Sequence, residues 1–377
     1  MKTLLAGAAL VLAMAAPARA DDELAGVSVI FARGGSLYRV DARGKGETEV
    51  ATLPAKTSVR ALRTDAAGSV LLADLGGHWS WMPLDGSTKT LADLPCAEGP
   101  AQLAEDGTCV VCRSPDPKVG AILYNLGKQH ASLIAISASG RLADTPDGRE
   151  LVWADSGGVW TAPVESPGRR TKVAPAPPLR GFLASPDGKR ALGVYAEEVY
   201  TDAHHKKPGE VLMNFALDGE GARRKAIRDG VPLEWSHDSQ YALVQDGGKA
   251  CLMKASGGEY KCWKGFTAAS VASDGSWALV LGNRDGTKAP APAPAKAGAK
   301  APAKPAEKPA EKPADEPTDE VGSEGGEPAG PDVPVAPPSG PLSLYRGKLD
   351  GPYTDPPVLI VKLVDGAAVW IPAPKQN

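Results

Sequence analysis

The chain is poor in cysteine, histidine and aromatic residues, shows no marked excess of charge, and has no long hydrophobic run after its first residues. Each shortage excludes something. A formal charge of -3 gives no overall field to draw nucleic acid or an anionic membrane, so neither is expected as a partner. At 42% hydrophobic, 23% charged and 5% aromatic, the chain is neither membrane-rich nor wholly disordered. There is no G-x-S-x-G, no phosphate-binding glycine loop and no H-E-x-x-H, and the repeat described below gathers no Ser, His and Asp set. No catalytic residue, cofactor or metal is therefore assigned.

The one apolar run of note lies at the start. Met1 to Ala20 has a cationic Lys2, an apolar stretch from Leu4 to Ala16, and small residues Ala18 and Ala20 before Asp21, the three parts of a secretory signal. This predicts a mature protein beginning near Asp21 in a periplasm or outside the cell. The stretch is shorter than the about 20 residues that cross a bilayer, and no Cys stands at the cleavage point, so neither membrane insertion nor a lipid anchor is expected.

In an oxidising compartment the five cysteines pair and leave one over. Cys251 and Cys262 flank the turn Ser256-Gly257-Gly258-Glu259 and fall opposite one another in a simple hairpin, which predicts a disulfide. Cys96 with Cys112 is the second pair, leaving Cys109 buried. Cys109-Val110-Val111-Cys112 has C-x-x-C spacing, but it reads as a strand. Side chains three apart on a strand point to opposite faces, against a zinc or redox site.

What the chain has in quantity is glycine and proline, 43 and 35 residues, more than a helical protein tolerates. They punctuate a repeat. Turns at Ala66-Ala67-Gly68, Glu105-Asp106-Gly107, Pro146-Asp147-Gly148, Pro186-Asp187-Gly188, His237-Asp238-Ser239 and Ser273-Asp274-Gly275 end 39, 41, 40, 51 and 36 positions apart. Each precedes a continuously apolar central strand, and a third strand recurs seven times, from Ser36-Leu37-Tyr38 to Leu342-Ser343-Leu344-Tyr345. A period near forty with four short strands is that of a β-propeller blade. The expectation is an all-β, seven-bladed β-propeller, with six or eight blades as neighbouring counts. The first repeat lacks an inner strand, and Ala367 to Ile371 is spare, so the C-terminus is expected to close the ring. Val358 to Leu363 is either the outer strand of blade seven or that closing strand.

The segment Phe182-Leu183-Ala184-Ser185-Pro186-Asp187-Gly188-Lys189-Arg190-Ala191-Leu192 resembles the repeat of TolB-type, WD-like bacterial propellers, and Leu233-Glu234-Trp235-Ser236-His237-Asp238-Ser239 is a weaker copy. The resemblance spans about residues 26 to 372 and implies a propeller with a role in protein interaction at the cell envelope. TolB has an α/β domain before its propeller, whereas here the signal leads almost directly into strands, so its particular role does not transfer. The shared positions are turn and packing positions and bring no binding residue with them.

The propeller is expected over 26–287 and 341–372, around an insertion from Lys288 to Gly340 built of Pro, Ala, Lys and Glu. Thirteen prolines between Pro290 and Pro338 and few apolar residues predict disorder. A second insertion, Ala196 to Pro208 in blade five, holds Glu197, Glu198, Tyr200, Asp202, His204, His205, Lys206 and Lys207. Imidazole and carboxylate suit a divalent metal, but alternating side chains on an exposed loop more often mean solvation. Both insertions join a central strand to a third strand, hence project from one face, and Tyr200, His204 and His205 are the candidate partner-binding residues there. Trp79, Trp81, Trp153, Trp160, Trp235 and Trp277 read as packing between blades. The function expected is an exported, monomeric, non-enzymatic scaffold for an envelope or secreted protein partner. The alternatives are a hydrolase or lyase, favoured by carboxylates or His at the channel mouth, and a sugar or small-molecule binder, favoured by Trp side chains converging on the channel.

Overall fold

The computed structural model describes residues 24–116, 118, 120–134, 140–174, 178–200, 206–217, 223–228, 230–256, 260–283, 342–349 and 356–373. The expected signal and the 288–340 insertion lie outside them. Blade one contains β1 (Ser28–Arg33), β2 (Ser36–Asp41) and β3 (Thr48–Thr52), and blade two β4 (Val59–Thr64), β5 (Val70–Leu75), β6 (His78–Pro83) and β7 (Ala92–Asp93). Blade three contains β8 (Ala101–Leu103), β9 (Cys109–Arg113), β10 (Ala121–Asn125) and β11 (His130–Ile134). Blade four contains β12 (Arg141–Thr145), β13 (Gly148–Asp155), β14 (Gly158–Pro163) and β15 (Thr171–Ala174). Blade five contains β16 (Arg180–Ala184), β17 (Arg190–Tyr200), β18 (Lys206–Ala216) and β19 (Arg223–Arg228). Blade six contains β20 (Gly230–Trp235), β21 (Tyr241–Asp246), β22 (Lys249–Lys254) and β23 (Tyr260–Lys264). Blade seven contains β24 (Thr267–Val271), β25 (Trp277–Asn283), β26 (Leu342–Lys348) and β27 (Val358–Val364), and β28 (Ala368–Ile371) follows.

Seven four-stranded antiparallel sheets result, and in the first the order is β28-β1-β2-β3. The last strand is thus the inner strand of blade one, with Ser28 opposite Ile371 and Phe31 opposite Ala368. Val358–Val364 is the outer strand of blade seven, paired with β26. That resolves the ambiguity in favour of two separate strands, because closure needs a segment beside the channel and β27 lies at the rim.

The alternation of each central strand explains why the blades cannot stand apart. In β1, Val29 and Phe31 enter a core shared with Trp277, Leu279 and Leu281 of blade seven. Ile30 and Ala32, on the other face, enter one shared with Leu62, Leu71 and Met82 of blade two. The same division recurs around the ring. Leu72 and Val110 join blades two and three, Val111 and Trp153 blades three and four, and Val152 and Phe215 blades four and five. Val194 and Trp235 join blades five and six, and Leu243 and Val280 blades six and seven. Strands buried on both faces are necessarily apolar at every position.

The turns into the central strands follow the expected pattern. Gly68, Gly107, Gly188 and Gly275 have φ of 66°, 69°, 68° and 68°, the left-handed region, and Ser239 takes the same conformation at 60°. At Gly275 an added Cβ would meet Tyr241 Cδ2 at 1.9 Å, so conformation and space both require glycine there.

The reading of Ala196 to Pro208 as an exposed loop needs correction. Ladder pairing between β17 and β18 continues from Arg190↔Ala216 to Tyr200↔Lys206. Most of this insertion is a lengthened hairpin, because the insertion adds residues in register to two strands that already pair.

Candidate functional site

The antiparallel order of each blade divides the ring into two ends. Turns between first and second strands lie at one end, and connections between second and third strands at the other. At the second end, blades one, two, four and six make two-residue turns closed by Arg33↔Ser36, Leu75↔His78, Asp155↔Gly158 and Asp246↔Lys249. Blades three, five and seven depart from this, blade three with seven residues between the paired Arg113 and Ala121. Blade five extends its hairpin to Tyr200 and Lys206, and blade seven places 284–341 between the paired residues Asn283 and Leu342. Of the candidate partner residues, Tyr200 ends β17, while His204 and His205 lie outside the described residues.

The other end holds a polar cluster. Arg63 and Thr64, Gln102 and Leu103, Leu183 and Ala184, and Glu234 and Trp235 end their inner strands around a channel cavity of about 50 Å³, with Glu105, Arg141 and His237 at its edge. Small-molecule sites occupy about 300 to 1,000 Å³, so this cavity has room for a few waters.

Among the described residues, two contacts cross the channel and both come from blade six. His237 Nδ1 hydrogen-bonds the Glu105 carboxylate of blade three. Glu234 Oε1 lies 3.9 Å from Arg63 Nη1 of blade two, and its Oε2 accepts a 2.8 Å bond from the Val271 amide. In a ring of seven, blades two and three are each three blades away from blade six, so the pairs span the channel rather than a blade interface. Burial would lower the His237 pKa, but the Glu105 hydrogen bond and the charges of Glu105, Glu234 and Asp65 outweigh it and raise the pKa above the ordinary imidazole value. Burial raises the Glu234 carboxyl, with Arg63, the Val271 amide and His237 acting against it.

Neighbouring turns at this end also bond to one another. Ala66 N donates to Glu105 O at 3.0 Å, Asp144 N to Pro186 O at 2.7 Å, and Asp238 N to Ser273 O at 3.2 Å. Asp187 N donates to Ser239 Oγ at 3.0 Å. Between blades three and four, Arg149 takes the part, 2.9 Å from Asp106 and 2.7 Å from Asp144.

The charged cluster was not singled out by the sequence reading, although its signal was present. The residue before the turn Asp is Glu105 in blade three and His237 in blade six but Pro or Ser in blades four, five and seven. Opposite charges at one repeat position, three blades apart, are a cross-channel pattern. Carboxylates and a His do stand at the mouth, where they engage one another. Among the described residues no group of three or more His, Cys, Asp and Glu is disposed to hold a metal ion.

The tryptophans pack between blades as expected, with Trp79, Trp153, Trp235 and Trp277 buried. Trp235 and Trp370 also border the channel, and Trp235 Nε1 is held by Leu183 O at 3.1 Å. Both cysteine pairs form. Cys251 and Cys262 are ladder partners with Cα atoms 4.1 Å apart, Cys96 joins Cys112, and Cys109 is free and buried.

The strand pairing defines the class: a closed, seven-bladed β-propeller. No protein-family model matches the sequence, and no curated protein matches it. TolB from Acinetobacter baumannii is similar in structure, with 11% identity and a TM-score of 0.43 over 62% of each chain. The match thus spans less than two thirds of that TolB. A TolB structure from Agrobacterium tumefaciens has 13% identity and a TM-score of 0.42 over 63% of this chain and 87% of that one. A eukaryotic initiation factor has 10% identity and a TM-score of 0.43 over 93% and 100%. Likenesses at TM-scores this low carry no argument.

Proposed function

We propose that this protein is an exported propeller that binds a protein partner in the cell envelope, through the end of the ring carrying the blade-five hairpin and the 288–340 insertion. The asymmetry between the two ends supports the reading. One end is tied by turn-to-turn bonds and crossed by paired charges, and its channel has room for a few waters. At the other, four blades end in two-residue turns, blade three in a seven-residue connection, and blades five and seven in a lengthened hairpin and the 284–341 connection. Residues on a rigid frame but outside its core are free to serve recognition. Tyr200, His204 and His205 are the candidate contacts.

The test is in-cell crosslinking of the exported protein followed by mass spectrometry. It compares the full chain with Y200A/H204A/H205A and with a chain lacking 288–340. Partner recovery is expected to fall in both variants while the melting temperature stays within about 1 °C, the scale of a change outside the core. A partner set unaffected by both changes would place binding elsewhere.

A further inference from the structure

We propose that blade six carries a proton-operated clasp: protonated His237 ties blade six to Glu105 of blade three across the channel, and loss of that proton releases the turn end of the ring. The geometry carries the inference. Each blade otherwise touches its neighbours, and a propeller's stiffness is the sum of those local interfaces. His237 and Glu105 instead join blades with two others between them, and Glu234 reaches Arg63 from the same blade three residues earlier. A tie across a ring resists its becoming oval, which contacts along the ring do weakly.

The groups facing His237 fix the direction of the response. Glu105 lies on the blade-three turn, Asp65 follows β4, Glu234 is on β20, and Arg63 and Arg141 complete the cavity wall. Asp65 is anchored by the Ser69 and Val70 amides at 2.7 and 2.8 Å and cannot swing away. With His237 charged, the acids have a cation among them. Without its proton, Asp65, Glu105 and Glu234 face the two arginines with one cation fewer, and the Glu105 contact loses its charge. A group whose pKa is raised by folding contributes stability that is present below its unfolded value, about 6.5, and lost as pH rises through the folded value. The clasp therefore holds at mildly acidic pH and loosens in alkali.

The experiment compares wild type with H237Q, which cannot take up the proton, by thermal unfolding between about pH 6 and about pH 9. Wild type is expected to melt about 2 °C higher at the acid end, with the gap closing as pH rises. A gap that stays constant or widens overturns the proposal, since a merely packing role for His237 has no such pH profile. If H237Q does not fold, wild-type protein decides through the protection of the Ala66 and Asp238 amides, which bond to the neighbouring turns. Protection factors that fall as the His237 ring signal titrates support the clasp, and factors that hold through that titration overturn it.

Discussion

Ser239 is the residue at which the repeat departs from its own rule. It stands at φ 60°, where an L residue costs about 1 kcal/mol or more relative to glycine, and the other turns have Gly68, Gly107, Gly148, Gly188 and Gly275. Its hydroxyl accepts the Asp187 amide of blade five, and this bond offsets the strain. S239A, which keeps the strain and orphans the amide, should lose about 1 to 2 kcal/mol in urea unfolding. S239G should recover about 1 kcal/mol of that loss by relieving the backbone. Equal losses in both variants would show that the φ strain is immaterial. Cys109 makes a second residue-level case, because burial raises its thiol pKa despite Arg149, whose Nη1 is 3.3 Å from Sγ. Alkylation at about pH 8, near where an exposed thiol begins to ionise, should label no cysteine in the native protein and Cys109 alone after unfolding without reductant. Two or more labelled positions would refute the pairing. The Cys251–Cys262 disulfide was legible because hairpin register is arithmetic. Glu105 and His237 were not, because their contact depends on how seven repeats are arranged in a ring, which no single repeat states.

Among the elements, β28 closes the ring with four residues. Val369, Trp370 and Ile371 are buried, β1 pairs with them, and Thr64 Oγ1 of blade two bonds to Trp370 O at 3.1 Å. A chain ending at Val364 would leave β1 without its inner neighbour and open a sheet edge beside the channel. It should be recovered as aggregate or lack a cooperative melt by circular dichroism. Soluble protein with the full-length melting temperature would show the closure to be dispensable. Among the described residues, the twenty-eight strands in seven sheets follow from the sequence where turn glycines and apolar central strands recur. The hairpin reaching Tyr200 escaped that reading because β17 and β18 are extended by polar residues such as Glu197, Glu198 and Lys207, which lack the apolar pattern that marks the other strands in the sequence.

At the scale of the whole molecule, the seven cores lie between blades and none lies within one, so the ring is stable only when complete. The closure has a consequence in time. Blades two to seven are each made of residues from one stretch of chain, although blade seven waits for β26 and β27 beyond the insertion. Blade one alone joins the two ends of the sequence, Ser28 opposite Ile371. Contacts between residues so far apart form slowly, because the whole intervening chain must first be ordered. Six blades can therefore assemble in the order in which the chain is delivered, while β1 waits with an unpaired edge until the final strand arrives. The interval between delivery of β1 and of β28 is the period of greatest vulnerability to proteases and chaperones, and the sealing of the ring marks its end.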